Sequence, residues 1–261
     1  MSGMKLLAID AGNSRIKWGL ADVQGVQGWV RRGVVDTSAA STLAQALGDL
    51  PPLTRVVASN VAGTAVRKVI DGVAPHCTWV SGRVTQCGVR NGYADPTQLG
   101  ADRWAALIGA WKIAGVGTRG VVVVNAGTTM TVDALSHEGV FLGGMIVPGM
   151  DLMRASLDRG TAQLHLQAGG FHYFPDNTAD AIMSGAVNAL TGAIDRMRGY
   201  LAETMAETAL TAPLTAPLTL ISGGAAPVLL PCLRESATLG RIESVDNLVL
   251  EGLLEIARDS G

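Results

Sequence analysis

One short pattern occurs twice in this chain. Ile9-Asp10-Ala11-Gly12-Asn13-Ser14 and Val124-Asn125-Ala126-Gly127-Thr128-Thr129 agree type by type: an apolar residue, Asp or Asn, Ala, Gly, then two small polar residues. Each follows a short apolar run, residues 5–9 in the first case and the four valines 121–124 in the second. Each precedes another extended stretch, residues 15–21 and 130–135. Strand, tight turn and strand make a β-hairpin. One hairpin in each half of 261 residues predicts two similar lobes, 1–117 and 118–261, dividing near residues 115–120.

The other segments alternate between strand and helix patterns, which predicts an α/β fold. Residues 55–58 read as a strand and 95–100 as a polar turn. Residues 101–114 have helical periodicity, with Trp104, Leu107, Ile108 and Trp111 on one face. These two tryptophans read as core in preference to a stacking platform. Residues 180–201 form a second helix, 218–221 a strand running into Ser222-Gly223-Gly224, and 247–258 a last helix. Residues 211–218, TAPLTAPL, read as a linker.

Composition excludes several classes. Hydrophobic residues make up 48% and charged residues 16%, enough apolar material for a core. Net charge is −2 with no basic run, so a nucleic-acid partner is not expected. Cys77, Cys87 and Cys232 form no C-x-x-C pair and are odd in number, which argues against a disulfide framework and for a reducing cytoplasm. No apolar run nears the roughly 20 residues of a membrane span, and the first ten residues do not resemble a signal peptide. His76, His137, His165 and His172 lack metal-ligand spacing. Residues 115–120 match G-x-G-x-x-G, but follow a helix and open a strand, the reverse of a dinucleotide loop.

The two turns carry the chemical signal. Consecutive backbone N–H groups and small hydroxyls can cradle phosphate oxygens, and Gly12 and Gly127 admit close approach because no Cβ intrudes. Asp10 suits a hydrated Mg²⁺, which keeps several waters and takes few carboxylates; Lys17 can neutralise phosphate charge. A single D-A-G-N turn is also ordinary hairpin chemistry. Two such turns together with Ser222-Gly223-Gly224 favour a nucleotide site. Asp102, at the start of a helix, reads either as a cap or as a base kept ionised by the positive helix end. Asp133 and Asp151 read as structural.

In combination, Asp10-x-Gly12-Asn13-Ser14, the Gly127-Thr128 turn and Ser222-Gly223-Gly224 resemble the phosphate-1, phosphate-2 and adenosine motifs of the acetate and sugar kinase/Hsp70/actin superfamily. Gly100-Ala101-Asp102-Arg103 and Gly143-Gly144-Met145-Ile146-Val147-Pro148-Gly149 resemble signatures of type III pantothenate kinases, in the family's order along residues 5–255. The resemblance implies two RNase-H-like (actin-like ATPase) lobes with ATP in a cleft between them, and a homodimer sharing its active site. It implies ATP-dependent phosphorylation of pantothenate, with Asp102 as catalytic base. Tyr93, Gly100, Ala101, Arg103 and Thr178 would contact pantothenate, Thr178 across the dimer interface. Asp10, Ala11, Gly12, Asn13, Ser14, Arg15, Ile16 and Lys17, with Thr128, Gly223 and Gly224, would bind ATP, with Mg²⁺ held near Asp10 through water. Many members carry Asp where this chain has Asn125, a position that helps bind K⁺ or NH₄⁺; Asn125 either retains a weaker cation site or only caps its turn. The rival readings are a kinase for another hydroxyl compound and a nucleotide-binding accessory protein of the same fold.

Overall fold

A computed structural model describes residues 5–22, 28–51, 55–115, 117, 119–160, 168–208, 216–234 and 239–259. Residues 211–215 of the TAPLTAPL segment, His165, Val116 and Thr118 lie outside the described residues. The chain divides into two compact units, Met1–Ile113 with Asn247–Gly261, and Ala114–Asp246.

In the first unit, β1 (Lys5–Ala11) and β2 (Arg15–Asp22) form the expected hairpin, and β3 (Trp29–Asp36) extends it; all three strands are antiparallel. A short helix, α1 (Leu43–Leu47), precedes β4 (Arg55–Asn60), which pairs parallel with β1. Helix α2 (Thr64–Val73) then leads to β5 (Thr78–Trp79), parallel to β4. The strand order is β3-β2-β1-β4-β5. Alternate side chains of a strand point to opposite faces. Leu7, Ile9 and Ala11 therefore share a core with Leu43, Leu47, Val66 and Ile70, while Asp10 faces the other side. A tight hairpin of β6 (Thr85–Gln86) and β7 (Val89–Asn91) turns through Cys87 and Gly88, both at positive φ.

Helix α3 (Ala101–Ala114) has the bounds expected from its periodicity, but not the single apolar face. It is buried continuously from Arg103 to Trp111, as an interior helix is. Trp104 and Trp111 are core residues, and Trp104 Nε1 donates to Gln86 Oε1 at 2.9 Å.

The second unit repeats the plan. β8 (Val121–Ala126), β9 (Thr129–Leu135) and β10 (Val140–Pro148) are antiparallel in sequence order. Helices α4 (Met150–Gly160) and α5 (Thr178–Thr208) follow, then β11 (Leu218–Ser222), parallel to β8. After the one-turn α6 (Ala226–Leu229), β12 (Ile242–Ser244) pairs parallel with β11. Within this unit the order is β10-β9-β8-β11-β12. Each unit thus has three antiparallel strands followed by two parallel ones on the other side of its first strand, the RNase-H-like arrangement. Val122, Val124, Met130 and Val132 bury against Val187, Leu190, Ile194 and Leu201 of α5.

The last helix, α7 (Leu248–Asp259), belongs to the first unit, not to the second lobe where the sequence reading put it. Its backbone lies against α3. A Cβ added at Gly252 would come within 1.7 Å of Ala105 O, and one at Gly109 within 2.6 Å of Leu248 O. Two glycines, one on each helix, allow this approach.

Candidate active site

The ladder places Asp10 between two polar neighbours. Its register partner on β2 is Lys17 and on β4 is Ser59, so the three share one face of adjacent strands. Ser59 Oγ donates to Asp10 Oδ1 at 3.0 Å. Ser59 is wholly buried and Asp10 is 8% exposed. Burial pushes the Asp10 carboxyl up to about 6; Lys17 opposes the rise, the nearby charge of Asp102 adds to it, and the Ser59 hydroxyl opposes it.

The turn after β1 is pinned from both sides. Gly12 N donates to Arg15 O, Thr37 Oγ1 donates to Gly12 O at 2.7 Å, and Thr37 N donates to Ser14 O. Asn13, Ser14 and Arg15 are exposed, while Ala11 and Ile16 are buried at the strand ends. Gly12 has no positive φ; an added Cβ would sit 3.2 Å from Arg15 O, a tight contact within the turn.

Asp102 is the second residue of α3, with Gly100 before the helix. It is therefore not the N-cap. Its Oδ1 accepts from Arg103 N at 2.8 Å, and a Cβ at Gly100 would approach that oxygen to 2.7 Å. The helix end was expected to lower its pKa. Instead the carboxyl lies above its ordinary value, because burial outweighs the Arg103 backbone N–H and the Arg103 charge. Arg103 is 5% exposed; its Nη1 donates to Tyr93 Oη at 3.2 Å, and the guanidinium lies 5.8 Å from the Tyr93 ring centroid. The first unit thus gathers Asp10, Lys17, Tyr93, Gly100, Ala101, Asp102 and Arg103 around the ends of β1 and α3.

In the second unit, the Gly127-Thr128 turn is one residue shorter than its counterpart: Ala126 pairs with Met130, whereas Ala11 pairs with Ile16. The turn rests on the end of the Gly143–Gly149 motif. Gly149 N donates to Thr128 O at 2.9 Å, and a Cβ on Gly149 would reach 2.2 Å from Gly127 O. Gly223 has φ +107, and an added Cβ would be 2.4 Å from Ala126 O, so only glycine fits; Gly224 is unrestricted. Asn125 Oδ1 accepts from Ser222 Oγ at 2.7 Å, which brings the ends of β8 and β11 together.

Thr178 opens α5. Asn177 caps that helix by accepting from Asp180 N at 3.0 Å, and Asp180 Oδ1 accepts from Gly170 N at 2.6 Å. Thr178 lines a cavity of about 720 Å³ between α4 and α5, with Met153, Leu157, Pro175, Ile182 and Ala186 among its walls. Tyr173 and Phe174, just before it, are 79% and 95% exposed.

A family model for type III pantothenate kinase matches residues 6–199. The chain belongs to the type III pantothenate kinase family. It is 44% identical over 259 residues to the type III pantothenate kinase of Nitrosospira multiformis, covering 98% of this chain and 92% of that one. It is 43% identical over 258 residues to the type III pantothenate kinase of Aromatoleum aromaticum, with 97% and 98% coverage. Among solved structures, a proposed Baf family transcriptional activator from Campylobacter jejuni superposes with a TM-score of 0.61 at 17% identity, covering 97% of this chain and 98% of that chain. A proposed 2-dehydro-3-deoxygalactonokinase from Sinorhizobium meliloti does so with a TM-score of 0.51 at 14% identity, covering 97% and 98%. These likenesses show the fold, that of the actin-like ATPases and sugar kinases. No helix among the described residues is long and apolar enough to cross a membrane.

Sequence motifs of this kinase family pointed to the turns and to the Gly100–Arg103 signature. They did not point to Ser59 or Thr37, whose contacts depend on strand register and on where β3 ends.

Proposed function

We propose that this chain transfers the γ-phosphoryl group of ATP to the primary hydroxyl of pantothenate, the first step of coenzyme A biosynthesis. The observation that carries the reading, beside the family, is the geometry of the first unit: Asp10 is held by Ser59 at the end of β1, and Asp102 lies in the first turn of α3 beside the buried Arg103, whose guanidinium donates to Tyr93. Asp102 accepts the proton of the pantothenate hydroxyl as that oxygen bonds to the γ-phosphorus. The bond from the γ-phosphorus to the β–γ bridging oxygen breaks, and ADP leaves. A raised carboxyl pKa makes Asp102 a better base than an ordinary aspartate. Arg103, oriented by Tyr93, holds the substrate, and Gly100 and Ala101 shape the entry to α3. The Asp10–Lys17 loop and Thr128 hold the phosphates, and Gly223 and Gly224 the adenosine.

The residues fit a divalent ion near Asp10. Asp10 is buried and feels the negative charge of Asp102, so its ionised form is costly, a cost that a cation relieves. Among the described residues no group of three or more His, Cys, Asp or Glu could hold a metal by itself. Most ligands would then be water and phosphate oxygens, as Mg²⁺ prefers. When bound, Mg²⁺ supplies neutralisation of charge on the β- and γ-phosphates. For a monovalent cation, K⁺ or NH₄⁺, Asn125 and Ser222 offer only neutral oxygens, so weak binding is proposed there. The apolar cavity beside Thr178 and the exposed Tyr173 and Phe174 support a homodimer in which a second copy covers this face. Cytoplasmic location is part of the same proposal.

The test is ADP release from MgATP with and without pantothenate, in K⁺ and in Na⁺, for the wild type and for Asp102→Asn. Pantothenate-dependent release is expected, with turnover lowered about 100-fold or more in Asp102→Asn and nucleotide binding retained. Release independent of pantothenate, or wild-type turnover in Asp102→Asn, refutes the reading. Gel filtration giving a strict monomer refutes the shared site.

A further inference from the structure

Ser59 lies on β4 among Val56, Val57 and Ala58, all buried, and is itself wholly buried. A hydroxyl in such a place costs free energy unless it is hydrogen-bonded, and its bond goes to Asp10 Oδ1 at 3.0 Å. The parallel β1–β4 register sets Asp10 opposite Ser59. The place of the hydroxyl is therefore fixed by a sheet ladder and not by a loop, the kind of support that holds a functional group accurately. The same end of β4 also holds the start of the phosphate turn, since Val61 N donates to Ala11 O at 2.9 Å. One strand end thus grips both the side chain of Asp10 and the backbone beside it.

We propose that Ser59 is a positioning residue for the divalent metal: its hydroxyl occupies Oδ1 of Asp10 and fixes the carboxylate so that Oδ2 is presented to a hydrated Mg²⁺. The inference rests on the reading of Asp10 given under the proposed function. A partner that orients a metal-side carboxylate contributes to metal affinity without touching metal or substrate.

The experiment measures ADP affinity by calorimetry, in Mg²⁺ and in EDTA, for the wild type, Ser59→Ala, Ser59→Cys, Ser59→Thr and Asp10→Asn. The readout is the gain in affinity that Mg²⁺ confers. Ser59→Ala is expected to cut that gain roughly tenfold and to leave affinity in EDTA unchanged. Ser59→Cys, similar in volume and only a weak donor, is expected to follow Ser59→Ala, and it carries the test should the alanine variant not fold. Ser59→Thr, which keeps a hydroxyl, is expected to retain the gain. Asp10→Asn is expected to abolish it. Equal weakening by Ser59→Ala or Ser59→Cys with and without Mg²⁺, or none in either, overturns the proposal while Asp10→Asn still loses the gain. Retention of the gain in Asp10→Asn overturns the reading of Asp10 itself.

Discussion

Replacing Asp10 by Asn removes a charge that the folded protein holds at a cost. The carboxyl has an ordinary value of 3.8 and rises to about 6 in the fold, chiefly through burial. Its folded pKa lies above its unfolded one, so the neutral form is the one the fold favours. The stabilisation from that neutral form is complete below 3.8 and is lost as pH rises through about 6. At about 1.4 kcal/mol per pH unit, the gap amounts to about 3 kcal/mol at pH 8 and about 1 kcal/mol at pH 4.5. Asn mimics the neutral carboxyl and can still accept from Ser59. The variant is therefore expected to gain on the wild type by about 2 kcal/mol between pH 4.5 and pH 8. Any fixed effect of the amide cancels in that difference. Removal of the Asp10 charge also eases ionisation of Asp102, which acts in the same direction. The assay is urea unfolding at both pH values, without nucleotide or Mg²⁺. A stability difference that stays constant between the two pH values, or that moves against Asn as pH rises, refutes the account of a buried, charge-strained Asp10.

Three further outcomes follow from the geometry. Gly149→Ala drives a Cβ toward Gly127 O and displaces the Thr128 turn; weaker ATP binding and a loss of about 1–3 kcal/mol are expected, measured by nucleotide titration and urea unfolding. Gly252→Ala forces α7 away from Ala105 and is expected to cost about 3 kcal/mol or more, with chemical denaturation as the check. Tyr93→Phe removes the hydroxyl that accepts from buried Arg103. At about 1–2 kcal/mol for such a bond, KM for pantothenate is expected to rise roughly 5–30-fold, with KM for ATP unchanged in steady-state kinetics.

The hairpin repeat is legible because it is local: an apolar run, a glycine turn and a second run lie within about twenty residues, and a short β-branched apolar run bounded by a glycine turn reads as a buried strand. Helix α3 was legible in its limits but not in its environment. Its moderate periodicity suggested one buried face, whereas burial runs all round it from Arg103 to Trp111. The pKa of Asp102 moves against the helix-end expectation for a related reason. The helix end is visible in sequence, but the burial that overrides it is a property of the packed fold. Ser59 had no signal, because a serine at a strand end is unremarkable until register sets it opposite Asp10. The membership of α7 was hidden as well, since an amphipathic terminal helix does not state which sheet it covers.

That last helix has a consequence for how the protein is made. The second unit is one continuous stretch, Ala114–Asp246, whereas the first is assembled from two separate segments that flank it in sequence. A ribosome delivers the β1–β5 sheet before the second unit and α7 after it. The surface that α7 will cover must wait, exposed, while the whole of the other unit emerges. Synthesis therefore favours completion in reverse order: the part begun second can finish first, and the part carrying Asp10 and Asp102 is closed only once α7 has emerged.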